Sequence, residues 1–338
     1  MNLKSKYLNL ELDNPIIVGA SNLSADLKVL ESLQEAGAGA IVYKSLFEEQ
    51  IQIENLQTWE EMKEYNDRNA EMTTIFPDES RYEHGPEEFI YEFKKARKLL
   101  KIPLIASLNC VYDDTWYEYA KRLEKAGADA LELNFYSVPK DFEMDGSAIF
   151  KEQVDTLTGV KNAIKIPVSV KLSPFYTNPL YAIKELEKAG ADGFALFNRL
   201  YQPDIDIEKE KLDLKYQSSE ASEHCLPLRY AGLLYGNTKA SIACGSGIHT
   251  SEDIIRMLLA GADATHIVTT IYKHGPDIIS KMKDEISEWM KRKGYMKIDD
   301  FKGKLSKKNI TNDPFAYRRA QYVDAIMNIK RFFKDPQR

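Results

Sequence analysis

Short apolar runs recur along the chain, each followed by a segment with helical periodicity. The runs are Ile16–Ser21, Ala40–Tyr43, Leu104–Asn109, Ala130–Asn134, Val168–Leu172, Gly193–Phe197, Ser241–Cys244 and Thr265–Val268. They show no strict alternation of apolar and polar residues, as expected for strands buried on both faces of a parallel sheet. After the first run, Leu27, Leu30 and Leu33 mark one helical face, and either Ser24 or Asp26 can cap that helix. Pro86 suits the first turn of a helix reaching Leu100. Further helices are expected over about Asp114–Ala126, up to Ile164, up to Gly190, through Leu228–Tyr235, up to Gly261 and over Pro276–Lys291.

One motif repeats four times. Ala36–Ser45 (AGAGAIVYKS), Lys125–Pro139 (KAGADALELNFYSVP), Lys188–Arg199 (KAGADGFALFNR) and Ala260–Thr270 (AGADATHIVTT) each read as helix end, Gly turn, apolar strand and polar strand end. In the longest copy Gly127 suits the left-handed position that closes a helix. Asn134 ends the strand, and Ser137 lies three residues beyond. Odd strands enter instead through Asn14-Pro15, Ile102-Pro103 and Ile166-Pro167. Eight strand–helix units in this order predict an α/β fold, a (β/α)8 TIM barrel rather than a doubly wound sheet. The chain reads as one domain over 1–338. Its core runs from about 14 to 292, Leu3–Leu12 form an N-terminal hairpin over one end, and 293–338 form a charged tail with a terminal helix.

Long polar segments follow strands two, four and six: Leu46–Gly85, Phe135–Gly146 and Asn198–Glu223. Loops of such length in a compact domain are usually functional. All three open on the rim where barrels of this type hold their active sites. The same rim gathers Ala20, Ser21, Lys44, Ser45, Asn109, Asn134, Lys171, Asn198, Gly245-Ser246-Gly247, Thr269 and Thr270. Two lysines suit an anion or an electron-rich ring. Asn amides offer both donors and acceptors to a heterocycle. The Gly-Ser-Gly and Thr-Thr turns follow strands seven and eight, where barrels bind phosphate through backbone N–H groups. Each residue alone also has a plain structural reading: a solvated lysine, an asparagine closing a turn, a loop hydroxyl at Ser137. Their convergence is what points to a site. His84, His224, His249, His266 and His274 share no spacing and are read as structural.

Composition narrows the class. The chain has 338 residues, 43% hydrophobic and 29% charged, with a formal net charge of −6. That fits a globular protein and disfavours nucleic acid as a partner, which calls for a basic surface. No apolar run reaches the roughly 20 residues of a membrane span, and the N-terminal residues lack the apolar stretch of a secretory signal. Cys110, Cys225 and Cys244 are few and widely spaced, so neither a disulfide framework nor a metal centre is expected. A cytoplasmic protein with no membrane partner is the expectation.

With these residues placed, the chain resembles the dihydroorotate dehydrogenase family, especially its class 1 branch, nearly end to end. The resemblance is carried by Asn14-Pro15, Gly19-Ala20-Ser21, Gly37–Ala40, Lys44-Ser45, Glu132-Leu133-Asn134, Val170–Pro174 and Gly245–Ile248. It continues through His274-Gly275-Pro276, Lys293-Gly294-Tyr295 and Asp300–Lys304. It implies an FMN-dependent oxidoreductase acting on a CH–CH bond, with hydride passing from dihydroorotate, or a related dihydropyrimidine or cyclic acid, to flavin N5 in pyrimidine biosynthesis. FMN would be bordered by Ala20, Ser21, Lys44, Ser45, Asn109, Asn134 and Lys171, with Ser246, Gly247, Thr269 and Thr270 around its phosphate. Lys171 would support the reduced ring, and Ser137 occupies the place of the family's catalytic base. Lys44, Asn134, Asn198 and Arg199 would meet the substrate. The family's class 1 members are often dimeric, so a homodimer is implied.

The flavin half matches better than the substrate half. Val138-Pro139 stands where the family has Pro-Asn, Asn198-Arg199 where it has Asn-Ser or Thr-Asn, and Thr269-Thr270 where it has Gly-Thr. Two alternatives therefore stand beside the enzyme: a degenerate FMN- or phosphate-binding barrel without turnover, and a flavin-free phosphate-binding isomerase barrel.

Overall fold

The computed structural model describes residues 1–48, 86–109, 113–135, 142–199, 202–213, 218–313 and 316–327. Its first strands, β1 (Ser5–Tyr7) and β2 (Leu10–Leu12), form the expected hairpin. The barrel follows with β3 (Ile16–Val18), helix α1 (Leu27–Glu35), β4 (Ala40–Phe47), α2 (Pro86–Leu99), β5 (Leu104–Asn109), α3 (Asp113–Lys125) and β6 (Ala130–Asn134). It continues through α4 (Gly146–Ala163), β7 (Val168–Leu172), α5 (Pro179–Lys188) and β8 (Gly193–Leu196). A second hairpin, β9 (Asp204–Asp206) and β10 (Lys211–Asp213), lies within the polar segment after the sixth barrel strand. Then come α6 (Cys225–Leu234), β11 (Ser241–Cys244), α7 (Ser251–Ala260), β12 (Ala264–Ile267), α8 (Thr269–His274), α9 (Ile278–Lys293) and α10 (Arg319–Met327).

Eight strands close on themselves in the order β11-β12-β3-β4-β5-β6-β7-β8, with parallel pairing throughout. This is the expected (β/α)8 barrel. Alternate strand residues serve two cores. Ile16, Val18, Ile41, Tyr43 and Leu131 pack against the helices. Ile17, Ala40, Val42, Ile105, Ala130, Ala243 and Ala264 point inward, joined by Tyr7, Leu8 and Leu12 of the hairpin. Small inward residues leave room for the hairpin tip to plug the barrel. Leu8 and Asn9 both have positive φ (54° and 62°), the two-residue turn that matches hairpin twist. Leu8 accepts this backbone while its side chain seats beside Gly193, where an added Cβ would lie 2.4 Å from Leu8 Cδ2.

The structure corrects several boundaries. The second barrel strand extends past Tyr43 to Phe47, with its register against β5 slipping between Val42 and Ser45. Asp26, not Ser24, caps α1, its carboxylate accepting from Lys28 N at 2.7 Å. Ser24 is buried and accepts from Lys44 N at 2.6 Å. Thr269-Thr270 open α8 rather than forming a strand-end turn. Residues after Lys293 pack on the barrel wall: Gly303 N donates to Leu258 O and Leu305 N to Leu259 O, both at 2.8 Å, and Lys302 pairs with Asp263 at 2.9 Å. The segment 49–85 after the second barrel strand lies outside the described residues, as does 136–141.

Candidate active site

At the C-terminal ends of the strands a cleft opens, enclosing about 200 Å³. Ala20, Lys171, Asn198, Arg199, Ser246, Gly247 and Thr269 line it, together with Gly19, His266 and Ser219. Seven of the residues expected at the site therefore share one cavity.

One end of the cleft is built from loops after β11 and β12. Ser246 and Gly247 are both left-handed, with φ of 67° and 70°. A Cβ on Gly247 would lie 2.4 Å from His224 N and 2.9 Å from Glu220 O, so the backbone passes here only as glycine. Thr269 begins α8, whose first N–H groups have no partner within the helix. Ser219 ties the two sides: its N–H and hydroxyl reach Thr269 Oγ1 at 3.3 and 3.1 Å, and its Oγ lies 3.3 Å from His249 Nε2. The Thr270 hydroxyl turns away and donates to Ile248 O. Thr270 thus braces the two loops through its side chain and offers the cleft only its backbone.

The rim beside Lys171 and Asn198 is amide-rich, although Asn134, Asn109 and Ser45 do not themselves line the cleft. Asn198 Nδ2 donates to Asn134 Oδ1 at 2.7 Å, and Asn134 faces Lys171 across the β6–β7 ladder. Asn198 N bonds Leu172 O at 2.7 Å, which fixes the start of its loop. Asn109, at the end of β5, is 7% exposed, and its Nδ2 has no partner among the described residues. Ser45 Oγ lies 2.7 Å from Ser107 Oγ on the neighbouring strand.

Other expected residues lie apart from this cavity. The Lys44 ammonium is 5.8 Å from the centroid of Phe89 on α2. Burial lowers its pKa, against the pull of Glu88 and Glu92 on the same helix. The register slip after Val42 accompanies this outward aim. Ser21 caps a short turn, its carbonyl accepting from Ser24 Oγ at 3.0 Å. Arg199 lines the cleft with its Nε held by both oxygens of Glu223, at 3.2 and 3.0 Å. Ser137, with Val138-Pro139, lies outside the described residues.

Three residues were not anticipated as part of the site: Ser219 and His266, which line the cleft, and Glu132 beneath it. Glu132 is 1% exposed, and neither of its carboxyl oxygens is hydrogen-bonded among the described residues. His266 Nδ1 lies 3.9 Å from Glu132 Oε2. Desolvation drives the His266 pKa down to about 3, and the Lys171 charge acts in the same direction. A charged residue inside a strand buried on both faces was the readable signal for Glu132. His266 follows from the same alternation, two positions after the inward Ala264.

A family model of dihydroorotate dehydrogenases matches residues 80–290. The chain belongs to the dihydroorotate dehydrogenase family. The catalytic subunit of dihydroorotate dehydrogenase B (NAD(+)) from Thermoplasma volcanium is 27% identical over 306 residues, covering 89% of this chain and 97% of that protein. The corresponding subunit from Pyrococcus abyssi is 29% identical over 312 residues, covering 89% and 98%. Dihydroorotate dehydrogenase A (fumarate) from Lactobacillus helveticus is 28% identical over 211 residues, covering 60% and 68%. Membership makes the chain an oxidoreductase acting on CH–CH bonds, and relatives of both the A and B kinds resemble it. Among the described residues no helix is long and apolar enough to cross a membrane, and no cluster of three metal-ligating side chains occurs.

Proposed function

We propose that this protein is an FMN-dependent oxidoreductase that oxidises dihydroorotate, or a closely related dihydropyrimidine or cyclic acid, in pyrimidine biosynthesis. The observation that carries the reading is the convergence of Lys171 and the Asn134–Asn198 pair with the Ser246-Gly247 turn and Thr269 around one cleft. The residues fit FMN. The left-handed Ser246-Gly247 turn and the first turn of α8 meet at the cleft, in the place where barrels hold phosphate through backbone N–H groups. The Asn109 amide, buried and without a partner among the described residues, suits an acceptor of the kind a flavin ring supplies. Ala20, Lys171, Ser246, Gly247 and Thr269 would hold the cofactor, and Ser21, Lys44, Ser45 and Thr270, which do not line the cavity, are proposed only at its outer border.

Bound there, FMN supplies a ring that accepts a hydride. The chain's own residues do the rest. Lys171 presents a fixed cation on the cleft wall, where negative charge gathering on a bound ring is stabilised without reorganisation. Asn134, held by Asn198, keeps one amide orientation and so presents its remaining donors to substrate in a fixed direction. Ser137 is the proposed base for the substrate proton, and it needs a dry site or a relay because an alcohol is a weak base. Arg199 is proposed to meet an acid group of the substrate, which requires loosening its contact with Glu223. We propose further that the protein is cytoplasmic and a homodimer. The B-type relatives support an additional partner subunit, since two of them are named catalytic subunits.

Purified protein is expected to be yellow and to bleach when dihydroorotate is added without oxygen. A colourless protein that refuses added FMN would remove the flavin reading. Yellow protein that dihydroorotate leaves unbleached would remove only the substrate, and related cyclic acids would then be screened with Arg199→Ala as control.

A further inference from the structure

Beneath the cleft lies a group of buried polar side chains that the chemistry above does not use. Glu132 comes from β6 opposite Ser169 of β7, in the barrel interior. His266 comes from β12 across the barrel, its Nδ1 3.9 Å from Glu132 Oε2 and its Nε2 buried without a partner among the described residues. Tyr7 closes the group from below, its ring edge-on to His266 with centroids 6.2 Å apart. Lys171 on the wall above is the cation whose field reaches both Glu132 and His266. Asp263 and Cys244 act on Tyr7 as well.

An ionised carboxylate without a hydrogen bond is strongly disfavoured in so dry an interior. Burial raises the Glu132 pKa, and the Lys171 charge only partly opposes it. His266 is neutral for the same reason and offers an acceptor nitrogen. A neutral acid beside a neutral imidazole leaves the charge of Lys171 uncompensated by either of them. An ionised Glu132 would instead pair with Lys171 and cancel the field that the cleft presents.

We propose that Glu132 is a positioning residue that works in its protonated form, aimed at His266 Nδ1, and so keeps the charge of Lys171 uncompensated toward the bound ring. The role toward the ring rests on the flavin reading; the proton on Glu132 does not. Loss of that proton as pH rises then weakens the hold on an electron-rich ring.

The test begins with the full chain free of flavin. Infrared difference spectra at neutral pH, wild type against Glu132→Gln, are expected to show a protonated-carboxyl C=O stretch that the variant lacks. Only carboxylate bands in that difference would overturn the proposal. His266→Met keeps Glu132 but removes its acceptor, so the band should move; an unmoved band overturns the His266 contact. FMN affinity is then titrated against pH. Wild type should weaken by about tenfold or more on the alkaline side, the effect of one pKa unit of coupling, while Glu132→Gln stays flat. Coincident curves overturn the role toward the ring. If FMN does not bind at all while the infrared band is present, the flavin reading fails and the role toward the ring fails with it, but the proton on Glu132 stands.

Discussion

At the scale of single residues, Glu132 and His266 give the barrel interior a pH response with two opposed parts. His266 has an ordinary pKa of 6.5 and a folded value of about 3. Between those values the unfolded chain binds a proton that the folded chain does not, so stability is lost as pH falls through this window. Glu132 is raised above its ordinary 4.5, so the folded chain holds a proton that the unfolded chain has released. Its contribution is complete below 4.5 and is lost as pH rises. Above 4.5, while the folded chain keeps the Glu132 proton and the pH stays below 6.5, the two slopes oppose each other, each up to about 1.4 kcal/mol per pH unit. Denaturant titrations across that window should therefore show stability rising with pH in Glu132→Gln and falling with pH in His266→Met, each relative to wild type. Parallel curves for all three proteins would mean that neither group changes protonation on folding. A second residue-scale expectation concerns Asn198→Ala. It removes the 2.7 Å donor to Asn134, whose buried carbonyl oxygen then lacks its partner. About 1–3 kcal/mol of stability should go, measured by denaturant midpoint, together with weaker FMN binding.

At the scale of elements, the hairpin β1–β2 does more than cover an end. Leu8 is fully buried in a strained turn and fills the space that Gly193 leaves. Leu8→Ala should cost about 2–5 kcal/mol, because a barrel floor built from strands cannot collapse into the hole. FMN affinity should change little, since the plug lies at the opposite end from the cleft. A loss of affinity matching the loss of stability would show that the floor and the cleft are coupled. The elements themselves were largely legible in the sequence. Eight doubly buried runs, the Ala-Gly-Ala turns and the Ile-Pro entries gave the barrel and its order. The rim was legible only where strand ends fix direction: Lys171, Asn134 and Asn198 came together because each lies within two residues of the end of a regular strand. Lys44 did not join them, because the register slip after Val42 re-aims the chain, and a slip of that kind leaves no mark in apolar spacing. For Thr270 the sequence places a hydroxyl but not its rotamer, which in the structure turns to Ile248 O. Ser219 was missed because it bridges to Thr269 across 50 residues of chain, through a segment without periodicity.

At the scale of the whole molecule, the cleft is assembled from distant parts of the chain, and this makes ligand binding a test of the entire barrel. Gly19 and Ala20 follow the first barrel strand, Lys171 ends the fifth, and Thr269 opens the helix after the last. Ser219 joins the segment before α6 to that helix, and the turn at Gly247 packs against His224 and Glu220. A ligand seated there binds only the closed barrel and none of the unfolded chain. It must then stabilise the whole fold by mass action, about 2.7 kcal/mol at a hundredfold excess over its dissociation constant. FMN added to flavin-stripped protein should raise the thermal midpoint in a concentration-dependent way, and riboflavin, which lacks the phosphate, should raise it much less. The Gly247 and Thr269 end of the cleft accounts for that difference. Equal shifts with FMN and riboflavin would mean that these loops do not hold a phosphate, and a ring site without its anchor would have to be sought elsewhere on the rim. The same measurement with Lys171→Ala separates the two ends. Removing the lysine should reduce the shift from both flavins alike, because it acts on the ring that they share, whereas the gap between FMN and riboflavin should remain.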